Sequence, residues 1–163
     1  MALTAVSSCA VLLVTAALLL YVAVNDFRQY SISNVLVLTL AGLFLLHAVL
    51  SGRWIMLHEN FAFALLMFAL LLLCYARGWM GGGDVKLLTV AFLWVGIRCA
   101  LPFALLLLLF ASLHALAAKL EWVGGRVVDG RLKIAFAPAV SAALLGSFAA
   151  GCLAPPGGSG LCW

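Results

Sequence analysis

The chain has 163 residues, of which 67% are hydrophobic and only 9% charged. A water-soluble domain of this length needs far more polar surface, so the composition excludes one and points to a protein embedded in the lipid bilayer. The net charge of +4 comes from basic residues scattered among loops, which argues against a nucleic-acid surface.

The apolar runs are long and rich in Leu and Ala, which indicates helices rather than the short alternating strands of a barrel. A helical span takes about 20 apolar residues, so this length allows six spans with short loops and no sizeable soluble domain. In chain order the spans are expected at 3–24, 34–50, 60–76, 85–97, 101–118 and 134–152, as a single all-α membrane domain over 1–163. The first lacks the basic n-region of a cleaved signal and is too long for its apolar core, so it reads as a retained span. Between the spans lie NDFRQYSIS, SGRWIMLHE, RGWMGGGD, a short turn near Arg98 and Pro102, and the polar loop KLEWVGGRVVDGRLK. The tail APPGGSGLCW reads as irregular.

The fourth span, from Val85 to Ile97, is short, about 20 Å of helix. Either it begins within the glycines before it, or its start lies in a recess that leaves Asp84 in a partly wetted cavity. Lys and Arg counts give an orientation. The loops after spans one, three and five carry Arg28, Arg77, Lys86, Lys119, Arg126, Arg131 and Lys133, against Arg53 and Arg98 on the other side. The odd loops are therefore expected in the cytoplasm and both termini outside.

Of the five acids, Glu59, Glu121 and Asp129 read as solvated loop charges. Asp26 and Asp84 each lie where a span meets a short cytoplasmic loop. Two carboxyls meeting there share a proton, because like charges a few ångströms apart resist ionising together. One then serves as base towards water while the other, protonated, polarises a carbonyl, which is the chemistry of an aspartic peptidase. Simpler alternatives are that Asp84 caps the fourth helix and that Asp26 pairs with Arg28. A cap accounts neither for three glycines nor for Lys86 in a first turn, where the helix dipole disfavours a cation. An alternative of another class is a small proton-coupled transporter or channel subunit with Asp26 and Asp84 as its relay.

The remaining reactive side chains read as structural. Cys9, Cys74, Cys99, Cys152 and Cys162 show no CxxC spacing and read as buried thiols, with a Cys152–Cys162 bridge as the weaker alternative. His47, His58 and His114 are scattered and read as structural or interfacial.

GGGDVK resembles the GxGDxK motif of the type IV prepilin peptidases, a family of membrane-embedded aspartic peptidases. DFRQYSISN, from Asp26 to Asn34, is similar to that family's first motif, and KIAFAPAV, residues 133–140, to its Pro-Phe-Gly-Pro-like third. Ser33 stands where the family usually has Pro, and Ala135 and Ala137 replace the Pro and Gly of the third motif. The loop after the first span holds no paired cysteines, so neither a zinc site nor a methyltransferase domain is expected. The chain is similar to the short, peptidase-only form of tight-adherence (Flp) pilus systems.

The resemblance implies roles by position. Asp26 and Asp84 form the catalytic pair, and Gly81 and Gly83 let substrate backbone approach Asp84. Arg28 and Lys86 tune the acids or hold the loops, Asn34 orients Asp26, and Pro138 interrupts the last helix to expose backbone groups. It also implies a prepilin-like substrate with a short basic cytoplasmic leader, a place in the bacterial cytoplasmic membrane, and neither cofactor nor metal. A presenilin-type protease shares GxGD, but the small size and the Ile32–Asn34 motif favour prepilin.

Overall fold

The computed structural model describes residues 2–29, 32–51, 54–120, 126–128, 131–133 and 135–151. Six helices form: α1 (Ala2–Gln29), α2 (Asn34–Leu50), α3 (Trp54–Ala76), α4 (Gly82–Val95), α5 (Ala100–Lys119) and α6 (Ala137–Ala149). A single 3-10 turn, Ile97–Cys99, joins α4 to α5. Within the polar fifth loop, β1 (Arg126–Val128) pairs with β2 (Arg131–Lys133) as a small antiparallel hairpin. The tail from Cys152 onward, with Glu121 and Asp129, lies outside the described residues.

Local chemistry sets the helix ends. Ser33 N-caps α2, its hydroxyl accepting from the Val35 amide at 3.3 Å, so a residue that departs from the family motif still has a structural task. After α3 the chain turns through Gly78 in the left-handed region (φ 72°), which glycine adopts without strain. Gly96 ends α4 with φ 64°, and its amide donates to the Phe92 carbonyl at 2.8 Å. A Cβ there would collide with the Asn60 side chain, whose Nδ2 donates to the Leu93 carbonyl at 3.2 Å.

Among the described residues, three stretches are long and apolar enough to cross a bilayer: Cys9–Gln29, Leu57–Ala76 and Ile97–Ala117. Six apolar helices form as expected, and α2, α4 and α6 are the shorter ones, with 17, 14 and 13 residues. At 1.5 Å per residue, α4 and α6 reach only about 20 Å, against a hydrocarbon core of about 30 Å. Their burial accounts for this. α4 packs against α3, α2 and α6, and α6 packs against α5, α1 and α4. Short helices are tolerated there because protein rather than lipid surrounds them. The long helices α3 and α5 keep most of their surface outward, with Phe61, Leu65, Leu73, Leu105 and Leu108 exposed as suits lipid contact.

The buried cluster draws on all six helices and centres on Trp94, Phe103, Leu19, Leu40 and Leu144. Trp94 donates its indole N–H to the Leu40 carbonyl at 3.1 Å and packs against Phe44, His47 and Phe148 with ring centroids 5.5–5.7 Å apart. His47 is thus a core residue, as its sequence context indicates, while His58 is exposed. The buried hydroxyls of Thr15 and Ser147 bond back to carbonyls four residues earlier, at 2.8 and 2.9 Å, and so remain satisfied.

Helix boundaries shift in two places that matter. α1 continues past Asp26 to Gln29, so Asp26 lies on the last turns of a helix rather than in a loop. α6 begins at Ala137 with Pro138 in its first turn, so Pro138 starts that helix and does not interrupt it. Proline fits a first turn because the missing N–H would have no helical acceptor there.

Candidate active site

The C-terminal end of α1 and the N-terminal ends of α2, α4 and α6 meet at one end of the bundle. Asp26 is only 5% exposed, and its Oδ2 accepts a 3.0 Å hydrogen bond from the Ala137 amide at the start of α6. That amide belongs to the first turn, where helix N–H groups have no helical acceptor and are free to hold a carboxylate. The pairing of Asp26 with Arg28 is not formed: Asp26 is buried and Arg28 is exposed. Among the described residues the ion pair is Arg98 with Glu59, 3.9 Å apart, beyond the far end of α4.

Asp84 sits in the first turn of α4, before the apolar stretch that starts at Val85. It does not cap the helix. Gly81 is the N-cap residue, in extended conformation (φ −74°, ψ 145°), and its carbonyl accepts from the amides of Asp84 and Val85 at 3.1 and 3.2 Å. Burial, and after it the negative charge of Asp26, push the Asp84 carboxyl up to about 6. The two carboxyls are therefore near enough to interact.

The glycines play separate parts. A Cβ on Gly81 would stand 3.1 Å from Oδ2 of Asp84, so its absence keeps open the space beside that carboxyl. One on Gly83 would meet Ile32 at 3.4 Å, and one on Gly82 would meet Tyr75 at 3.4 Å, both ordinary packing distances. Only Gly81 faces the acid. Lys86 donates to Oδ1 of Asn34 at 2.9 Å, joining the GGGDVK segment to the start of α2. Its place near a positive helix end is thus offset by a specific acceptor. Asn34 meets Lys86 and not Asp26, and Arg28 stands apart.

Two features of this end have no sequence signal that would single them out. The first is the Ala137 amide, a backbone group that any residue except proline supplies. The second is His114 on α5, which packs edge-on against Phe27 with ring centroids 5.3 Å apart and bears electrostatically on Asp26. It lines a shallow groove of about 280 Å³ with Phe110, Leu113, Pro138 and Ala142. Among the described residues, no three His, Cys, Asp or Glu side chains converge as a metal site would require.

The cysteine expectation needs correcting. Cys9 and Cys99 are both disulfide-bonded, while Cys74 is a free thiol. Spacing could not reveal this, because neither cysteine belongs to a CxxC pair. Cys152 and Cys162 lie outside the described residues.

Two interacting carboxyls, one buried and one half-buried, at the end of a bundle of apolar helices suit acid–base chemistry at a membrane-embedded site. The profile of the type IV leader peptidase family matches residues 13–120, a stretch that holds both Asp26 and Asp84. The chain belongs to that family and is a membrane peptidase of the leader-peptidase kind. Comparison with curated proteins and with solved structures returns no match.

Proposed function

We propose that the protein is an aspartic endopeptidase that removes the short basic leader from prepilin-like substrates, with Asp26 and Asp84 as its catalytic pair. The observation that carries this reading is the interaction of the two carboxyls at the point where α1, α4 and α6 converge. Family membership sets it above the proton-relay alternative, which draws on the same two acids.

In the active form of the pair Asp84 holds the shared proton, which its raised value favours over an ordinary carboxyl. The Asp26 carboxylate, oriented by the Ala137 amide, takes a proton from water as the oxygen adds to the scissile carbonyl carbon. Asp84 gives its proton to the carbonyl oxygen. Collapse of the tetrahedral adduct breaks the C–N bond: the leaving amine takes up the proton gained by Asp26, and a hydroxyl of the adduct returns its proton to Asp84. Gly81 leaves the approach to Asp84 open for an extended substrate backbone.

The substrate enters with its basic leader in the cytoplasm and its apolar helix in the bilayer, so the cut falls near the membrane surface. The excess of Lys and Arg in the odd loops supports a cytoplasmic position for this end of the bundle, with both termini outside. Methyl transfer is not part of the activity. Co-expression with a prepilin encoded nearby tests the reading: a mobility shift of leader length supports it, and unshifted prepilin with the peptidase present in membranes overturns it.

A further inference from the structure

The sulfur chemistry of the chain is divided between the two ends of the bundle. Cys9 stands seventeen residues before Asp26 on α1, about 25 Å along the helix and thus most of a membrane's thickness away. Cys99 closes the 3-10 turn after α4, at the opposite end of that helix from Asp84. Both are disulfide-bonded. Cys74, the free thiol, lies near the end of α3 beside Tyr75, whose ring covers Gly82 at the start of α4. Oxidised sulfur marks one end and reduced sulfur the end with the carboxyls.

Disulfides persist in oxidising compartments, while cytosolic reductants keep thiols reduced. We infer that Cys9 and Cys99 are modification sites on the extracytoplasmic face, oxidised there by a thiol–disulfide oxidant, and that the carboxyl end faces the reducing cytoplasm. Each bond forms as two thiols lose two protons and two electrons, and the electrons reduce the oxidant's own disulfide to a dithiol. The bonds act on the outer end of α1, the helix that presents Asp26 at its other end. Their part is to fix that helix and not to do chemistry on substrate. This inference rests on the proposed reading of the chain as a membrane-spanning bundle and uses neither its carboxyl chemistry nor the Lys and Arg count.

Mass-tagging tests it. Membranes are taken directly into denaturant with a polyethylene-glycol maleimide and no reductant, and the tags on the full-length protein are counted by gel. Cys9→Ser and Cys99→Ser should each gain one tag over the parent, because removing one partner frees the other. Cys74→Ser should lose one. The double variant reports the pairing: no added tag means Cys9 and Cys99 bond each other, two mean separate partners, and either upholds the inference. Loss of a tag in Cys9→Ser or Cys99→Ser overturns it, since each cysteine was then a free thiol.

The compartment is tested in spheroplasts treated with a membrane-impermeant phosphine and then an impermeant maleimide. Labelling at Cys9 and Cys99 but not at Cys74 is expected, and the reverse pattern overturns the assignment. In cells lacking the extracytoplasmic thiol oxidant, the tags gained on the serine variants should vanish and the parent should take up the full set. Counting tags in denatured protein depends on neither folding nor cleavage, so a failure here is distinct from a failure of the peptidase reading.

Discussion

Lys86 donates from Nζ to Oδ1 of Asn34 at 2.9 Å, bridging two sequence motifs that are 52 residues apart. Both side chains are exposed, so the bond contributes little to stability, on the order of 1 kcal/mol or less. Its effect is to hold the start of α2 against the start of α4, beside Asp84. Lys86→Gln and Asn34→Ala should each slow leader cleavage by a few-fold with unchanged membrane levels. The double variant should be no slower than the worse single one, because one contact is lost in all three. Additive losses would show that the two residues act separately.

The acids give the largest expected effect. Asp26→Asn and Asp84→Asn should each abolish cleavage, by at least about a hundredfold, while Glu121→Gln and Asp129→Asn retain most of it. Asn keeps nearly the same shape, so the Ala137 amide still finds an acceptor at position 26, and Gly81 continues to cap α4. What is lost is a proton that moves. Groups acting as one unit are not additive, so the double variant should be hardly worse than either single one. Leader removal from co-expressed prepilin, with immunoblots of membrane fractions, measures this. Near-parental cleavage by Asp84→Asn at normal levels would exclude the paired-carboxyl mechanism.

The pH dependence follows from Asp84. Its carboxyl is raised to about 6 by burial and then by the Asp26 charge, so it keeps its proton below that value and loses it above. A pair that needs one proton therefore loses activity as pH rises through about 6, approaching tenfold per unit well above it. Bound substrate excludes water and favours the neutral acid further, so the fall in kcat should lie at higher pH than that in kcat/KM. Purified enzyme in liposomes, assayed from pH 5 to 9, gives both profiles. A rate that climbs steadily across that range would assign the proton elsewhere.

Gly81 and Gly83 separate backbone access from packing. Gly81→Ala puts a methyl 3.1 Å from the Asp84 carboxyl at a backbone conformation that alanine adopts freely, so the carboxyl has to move while the helix stays. Misplacement of a catalytic group by a fraction of an ångström to one ångström costs on the order of ten- to a hundredfold in rate. Gly83→Ala meets only Ile32 at an ordinary distance, inside a helix that alanine favours, and should cleave at close to the parental rate. Equal losses at both positions would show that the stretch serves flexibility rather than space beside Asp84.

The helices and the two acids were legible in the sequence for different reasons. Apolar runs mark helices because lipid leaves the backbone no other partners, and an acid beside three glycines stands out in a chain with so little charge. The true end of α1 was not legible. Asn25–Gln29 is polar and reads as loop, yet contact with the start of α6 buries Asp26 and carries the helix onward. The central position of α4 and α6 was hidden too, because hydropathy reports that a helix is apolar and not whether lipid or protein surrounds it. The disulfides at Cys9 and Cys99 escaped because neither cysteine has a CxxC neighbour to mark it as paired.

The third wall of the site is a peptide group. Because Asp26 is held by the Ala137 N–H and not by a side chain, natural selection meets position 137 only through two filters. The residue has to be small, since Ala137 is fully buried, and it cannot be proline. Within those limits the letter is free to drift, and glycine and alanine are interchangeable there as far as the bond to Asp26 is concerned. The family match, which ends at residue 120, stops before this segment. A contact made by the backbone can outlast the motif by which it would be recognised.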